Sequence, residues 1–263
     1  VADAEKTKRE NLSKILKNGR GVWVAYDHGM EHGPKDFNGF PTDPHNVVRE
    51  LSPLCEGFLM NYGIAKLTKD ELKCPLILKL TGRTSVCQVQ MQRKIAGLGE
   101  AIELGATAVA ATVYVGENRE DEMLAQFAGI RQECSMSGLP ILGLMYPRGP
   151  NIVNPNAWEI VSYAARVGAE LGADIVKTYW TGSSESFSRV TKVTPVPIMV
   201  AGGPQMAARD SLVMVSEIVK AGAAGIAVGR NVWQHENPVG MLKAIRAIVH
   251  EGKGVEEALK IVG

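Results

Sequence analysis

The 263 residues carry 29 Lys and Arg against 28 Asp and Glu, a formal charge of +1, and 45% of them are hydrophobic. This balance excludes a chain disordered as a whole, which would be poor in apolar residues and far from neutral. It also excludes the broad basic surface that nucleic acid or an acidic membrane calls for, while leaving room for a local anion pocket.

The stretch Val1 to Lys17 is charged throughout and lacks the apolar run of a secretion signal. Because the chain opens on valine, further residues are expected to have preceded it. Short apolar bursts then predict strands at Val22–Tyr26, Gly57–Met60, Leu76–Leu80, Ala108–Tyr114, Ile141–Met145, Asp174–Thr178, Pro197–Ala201 and Gly225–Val228. Most are near-continuous apolar runs, the pattern of parallel strands covered on both faces. Helices are expected between them, most clearly at Glu100–Leu104, Asn118–Cys134, Ala157–Leu171, Ser211–Ala221 and Pro238–His250. Three helix-to-strand junctions share a small motif, Leu104-Gly105-Ala106, Leu171-Gly172-Ala173 and Ala221-Gly222-Ala223, with glycine where a left-handed helix cap is wanted.

Eight strands alternating with helices, and no Ser/Pro-rich linker, predict a single α/β domain over residues 1–263, a (β/α)8 TIM barrel. A doubly wound open sheet fits less well, because Tyr26-Asp27-His28-Gly29 is not the glycine-rich turn such a sheet places after its first strand. Cys55, Cys74, Cys87 and Cys134 contain no C-x-x-C, so neither a zinc ribbon nor a redox pair is expected, and a reducing cytoplasm is. No membrane span is expected, since no stretch of about 18 apolar residues occurs.

In a barrel the reactive groups sit at the C-terminal strand ends. Lys177, in Asp174-Ile175-Val176-Lys177-Thr178, lies in an apolar strand where a solvated lysine is out of place. Desolvation there lowers an amine's pKa and makes it a nucleophile for a carbonyl carbon. The alternative is a lysine whose stem packs on the sheet while its head reaches water or a carboxylate. Lys79 is a weaker candidate of the same kind, or one half of an ion pair with an inward acid. Tyr146 is a general acid/base if a nearby cation lowers its pKa, or simply a hydrogen-bonding tyrosine at the rim. Asp27 is a proton carrier, a group that orients a lysine, or a turn carboxylate.

Gly202-Gly203 and Gly229-Arg230 follow the seventh and eighth strands, where barrels often hold phosphate. His28-Gly29-Met30-Glu31-His32 matches H-x-x-E-H, but zinc chemistry needs both histidines on a helix. Gly29 and the following Gly33-Pro34 argue for a loop, in which His28 and His32 bond a polar substrate. The other histidines, His45, His235 and His250, are expected at the surface.

Five runs in order resemble one family. Val24-Ala25-Tyr26-Asp27-His28-Gly29-Met30-Glu31-His32-Gly33-Pro34, Tyr146-Pro147-Arg148-Gly149, Asp174-Ile175-Val176-Lys177, Gly202-Gly203-Pro204 and Val228-Gly229-Arg230-Asn231-Val232-Trp233-Gln234 are similar to the archaeal-type class I fructose-1,6-bisphosphate aldolases of the DhnA family. The resemblance runs from about Val22 to His235. It implies a metal-independent Schiff-base lyase without cofactor, a phosphorylated sugar substrate, a place in glycolysis and gluconeogenesis, and homo-oligomers, often decamers. It makes Lys177 the imine-forming lysine, Tyr146 the main proton-transfer residue and Asp27 the supporting carboxylate. Gly202, Gly203, Gly229 and Arg230 would hold one phosphate and Arg148 would reach the substrate. His28, His32 and Lys79 complete the expected substrate-binding set.

The implied reaction is reversible cleavage of fructose 1,6-bisphosphate to dihydroxyacetone phosphate and glyceraldehyde 3-phosphate. A sister group, the 2-amino-3,7-dideoxy-D-threo-hept-6-ulosonate synthases, uses the same lysine in a transaldolase-like step of aromatic amino-acid synthesis. Glu31-His32 after Asp27-His28-Gly29 resembles the aldolases, but Leu144 departs from them where tryptophan is expected, and the stretches Tyr163–Thr178 and Gln234–Leu259 resemble the synthases, which are therefore the alternative. Rivals from other classes are an FMN-dependent oxidoreductase, a zinc enzyme and a non-catalytic barrel that binds sugar phosphates.

Overall fold

A computed structural model describes residues 2–263. Its main strands are β1 (Gly21–Ala25), β2 (Gly57–Asn61), β3 (Leu76–Lys79), β4 (Ala108–Val115), β5 (Ile141–Pro147), β6 (Ile175–Thr178), β7 (Ile198–Ala201) and β8 (Gly225–Val228). Each lies within two residues of its predicted position. All pair in parallel in chain order, and β1 closes the ring by pairing with both β2 and β8. This is the expected (β/α)8 barrel.

Alternate residues of each strand face opposite ways. Trp23, Leu59, Ile77, Ala110, Leu142, Ile175 and Met199 fill the interior. Val24, Phe58, Leu78, Val109, Val176 and Val200 pack outward in the layer shared with the helices. Both faces are buried, so the strands read as unbroken apolar runs.

The five predicted helices are present, shifted by up to three residues at their ends. Gly105, Gly172 and Gly222 have φ of 70°, 86° and 84°, the left-handed caps expected of them. Helices over Ala2–Ile15, Pro44–Leu51, Tyr62–Leu67, Ser184–Val193 and Val255–Val262 were not predicted. The first is too charged to show an apolar stripe. Its C-terminal end nevertheless plugs the base of the barrel: Ile15 is fully buried with Leu12 and Leu16 against the inner core, and the Trp23 indole N–H donates to the Ile15 carbonyl at 2.8 Å. His250 departs from its expected surface role, since its Nε2 lies 2.9 Å from Oε2 of the fully buried Glu56.

The segment His28–His32 corrects the prediction of a loop, because it forms one turn of α-helix. Gly29 is compatible with that turn and is favoured by its packing, as a Cβ there would sit 3.1 Å from the Phe37 ring. No helix among the described residues is long and apolar enough to cross a membrane.

Candidate active site

The two-residue period that fills the barrel also builds its mouth. Continuing the inward positions up each strand leads from Ala25 to Asp27, from Ile77 to Lys79, from Leu144 to Tyr146, and from Ile175 to Lys177 and Tyr179. Asp27, Lys79, Tyr146, Lys177 and Tyr179 line one cavity of about 130 Å³, together with His28, Glu31, His32, Arg148, Gly202, Gly203, Gly229 and Arg230. Every site residue expected from the sequence thus borders the same space.

The two lysines differ in their surroundings. Lys79 Nζ lies 2.6 Å from Asp27 Oδ2 and 3.8 Å from Glu31 Oε2. Burial opposes its charge, but Asp27 and then Glu31 overcome this and hold its pKa above the ordinary value. Burial likewise works against the Asp27 carboxylate, yet Lys79, His28 and Lys177 hold its pKa well below the usual range. The pair is therefore ionised at neutral pH. Of the two roles open to Lys79, the geometry selects the ion pair.

Lys177 is 5% exposed and has no ion-pair partner among the described residues. Burial pushes its pKa down to about 8; Asp27 pulls the other way and the Lys79 cation reinforces the fall. Leu144 sits beside it in register on β5, and Met199 on β7.

Tyr146 departs from the sequence expectation. Burial, then Tyr179, Asp27 and Glu31, drive its pKa well above 10, and Arg148 only partly offsets them. Its phenol is neutral and stacks on Tyr179 with ring centroids 4.7 Å apart. His28 is also neutral at pH 7, because burial lowers its pKa to about 4. His32 Nδ1 pairs with Asp36 Oδ2 at 2.9 Å.

Several site residues were missed by the sequence reading. Glu31 accepts hydrogen bonds from Tyr114 Oη at 2.7 Å and from Arg148 at 3.0 Å. The Arg148 guanidinium lies over the Tyr114 ring, 4.4 Å from its centroid, and donates to Tyr179 Oη at 2.8 Å. Gln92 Nε2 is 2.6 Å from Tyr114 Oη. Glu31 stood inside a motif already singled out, and Tyr179 follows Lys177 by one inward step. Those were the available signals. Arg148 and Tyr179 also line an adjoining cleft of about 570 Å³ with Gln88, Gln90 and Asn118.

On the opposite wall, the Gly202 N–H is taken by the Ala227 carbonyl at 3.1 Å. Asn231 and Arg230 side chains bond the carbonyls of Gly202 and Gly203. Gly229 admits close packing, since a Cβ there would lie 2.7 Å from the His28 ring. Two buried polar atoms of residues lining the cavity remain unpartnered, Arg230 Nε and His28 Nδ1. Among the described residues no three His, Cys, Asp or Glu side chains are grouped to hold a metal.

The fold and this cavity define a (β/α)8 barrel with a buried amine and an ion pair at its mouth. The chain belongs to the DeoC/LacD family of aldolases, whose pattern matches residues 22–235. It is 39% identical over 256 residues to the class 1 fructose-bisphosphate aldolase of Thermoproteus tenax, covering 95% of this chain and 97% of that one. It is 35% identical over 259 residues to the 2-amino-3,7-dideoxy-D-threo-hept-6-ulosonate synthase 1 of Archaeoglobus fulgidus, covering 97% and 96%. Among solved structures it resembles an archaeal fructose-1,6-bisphosphate aldolase whose catalytic lysine is covalently bound to the carbinolamine intermediate of the substrate. That match has a TM-score of 0.88 and 38% identity, over 92% of this chain and 99% of the other.

Proposed function

We propose that this chain is a class I aldolase that reversibly cleaves fructose 1,6-bisphosphate to dihydroxyacetone phosphate and glyceraldehyde 3-phosphate, with Lys177 as the imine-forming residue. The observation that carries the reading is the unpaired, buried amine of Lys177, displaced to about 8. At pH 7 roughly a tenth of such an amine is neutral, against about one part in a few thousand for an ordinary lysine.

The amine attacks the ketone, and loss of water from the carbinolamine leaves a protonated imine. The imine accepts the electron pair of the adjacent carbon–carbon bond as that bond breaks, giving an enamine and releasing the aldehyde. In the cleavage direction it is the phenolate of Tyr146, formed once the phenol has given its own proton to solvent, that takes the hydroxyl proton beside the breaking bond. In the condensation direction the neutral phenol of Tyr146 is the form that donates a proton to the aldehyde oxygen. Asp27, held ionised by Lys79, serves better as a fixed anion beside the iminium than as a proton carrier. The free Arg230 Nε, Gly203 and Gly229 suit one phosphate, and Arg148, on the border of the two cavities, suits the far end of the substrate. Fixing both ends against Lys177 contributes several kcal/mol through orientation. A homo-oligomer, up to a decamer, belongs to the same proposal and is tested by sedimentation.

Borohydride added with fructose 1,6-bisphosphate should inactivate the protein and leave a mass adduct on Lys177. An adduct on Lys79, or none, refutes the assignment. Running the cleavage assay beside a transfer assay with aspartate semialdehyde separates this reading from the synthase. That second reading is favoured by Leu144 beside the lysine and by the 35% identity to the Archaeoglobus enzyme. A flavin absorption band, or loss of cleavage with a chelator, would point to the other classes.

A further inference from the structure

We propose that Cys55 and Cys74 form a disulfide site that staples β2 to β3 at the base of the barrel. Their Sγ atoms lie 3.5 Å apart although the residues are 19 positions apart in the chain. Cys55 stands two residues before β2 and Cys74 two before β3, and these strands pair in parallel with Phe58 opposite Leu76. The backbone is tied on both sides of the sulfurs. The Phe58 N–H donates to the Pro75 carbonyl at 2.9 Å, and the Lys73 N–H donates to Ser52 Oγ at 3.0 Å. A disulfide needs the sulfurs at about 2.05 Å, so about 1.5 Å of approach suffices, shared between two side-chain rotations. The other cysteines differ: Cys134 is buried on the helix Glu120–Ser137, and Cys87 is exposed.

The oxidant in the proposal is a small-molecule disulfide. Cys74 is half-buried while Cys55 is buried, so exchange begins at Cys74. Its thiolate attacks one sulfur of the oxidant and expels a thiolate, which takes up the proton Cys74 has lost. Cys55 then gives up its proton, attacks the Cys74 sulfur of the mixed disulfide and expels the second small thiol. Two protein thiols lose two electrons in all, and the oxidant gains them as two thiols. The hydrogen bond with Cys55, and then burial, hold the Cys74 thiol above its usual range, so the exchange calls for alkaline conditions. The bridge closes a loop containing all of β2. Lys177 lies at the other end of the barrel, so the bridge acts on stability.

The test incubates the full chain with oxidised glutathione at mildly alkaline pH. The expected result is loss of the Cys55 and Cys74 thiols with a mass lower by about 2 Da, any glutathione taken up by the exposed Cys87 being counted separately. Peptide mapping should show the Cys55–Cys74 link. The Tm should rise by roughly 5–10 °C and return to its starting value with reductant. Cys74→Ser should show none of these changes. Glutathione left on Cys74 without closure, a link through Cys87 or Cys134, or a Cys55–Cys74 bridge that leaves Tm unchanged or lower would each overturn the proposal.

Discussion

Replacing the proposed nucleophile should make the protein more stable while abolishing activity. Lys177→Met keeps a flexible unbranched stem in the cavity and removes the one buried ammonium there without an ion-pair partner. A pKa of about 8 in the folded chain against 10.5 ordinarily means that the folded state resists the charge. That resistance amounts to about 3 kcal/mol. Some of the gain is returned, because Lys177 helps to hold Asp27 ionised. A net stabilisation of about 1–3 kcal/mol at pH 7 follows, or a Tm higher by roughly 3–10 °C. A lysine with a lowered pKa binds fewer protons folded than unfolded, so wild-type stability rises with pH between about 8 and 10.5. The advantage of Lys177→Met should therefore be full below pH 8, shrink across that window and vanish above it. Urea unfolding of both proteins at a series of pH values measures this. A variant less stable than wild type at pH 7, or an advantage that grows with pH, would refute the assignment of Lys177 as a charge held against its surroundings.

Lys79→Met should have the opposite effect, destabilising by about 2–4 kcal/mol in urea unfolding, because it leaves the half-buried Asp27 carboxylate without its hydrogen-bonded cation. Tyr146→Phe should lower kcat by about 10²–10⁴-fold while borohydride still labels Lys177, since proton transfer and imine formation rest on different groups. Glu31→Gln removes the anion that holds Arg148 and should raise KM about tenfold with kcat little changed, read from steady-state cleavage kinetics. An equal loss in kcat would instead place Glu31 in the chemical step.

The strand positions could be read from the sequence because burial on both faces leaves a simple mark, a short run of apolar residues. The helix Ala2–Ile15 could not. Its apolar contacts are few and come at its end, and what buries them is the open base of a barrel closed by strands over 200 residues away. The single turn at His28–His32 was misread for a related reason. Gly29 argues against a helix locally, while its packing on Phe37 and the cap at Gly33 favour one.

Residue order alone determined the alternation of strand and helix, the strand ends from which polar groups could project, and the candidacy of Lys177. It could not decide which of the two inward lysines is free. That depends on Asp27 lying 2.6 Å from Lys79 while Lys177 stands among Leu144, Met199 and no bound carboxylate. Nor could it decide the state of Tyr146, whose phenol is kept neutral by burial and by neighbours on the segments that follow other strands. Charge and desolvation act through space, and only closure of the ring sets those distances.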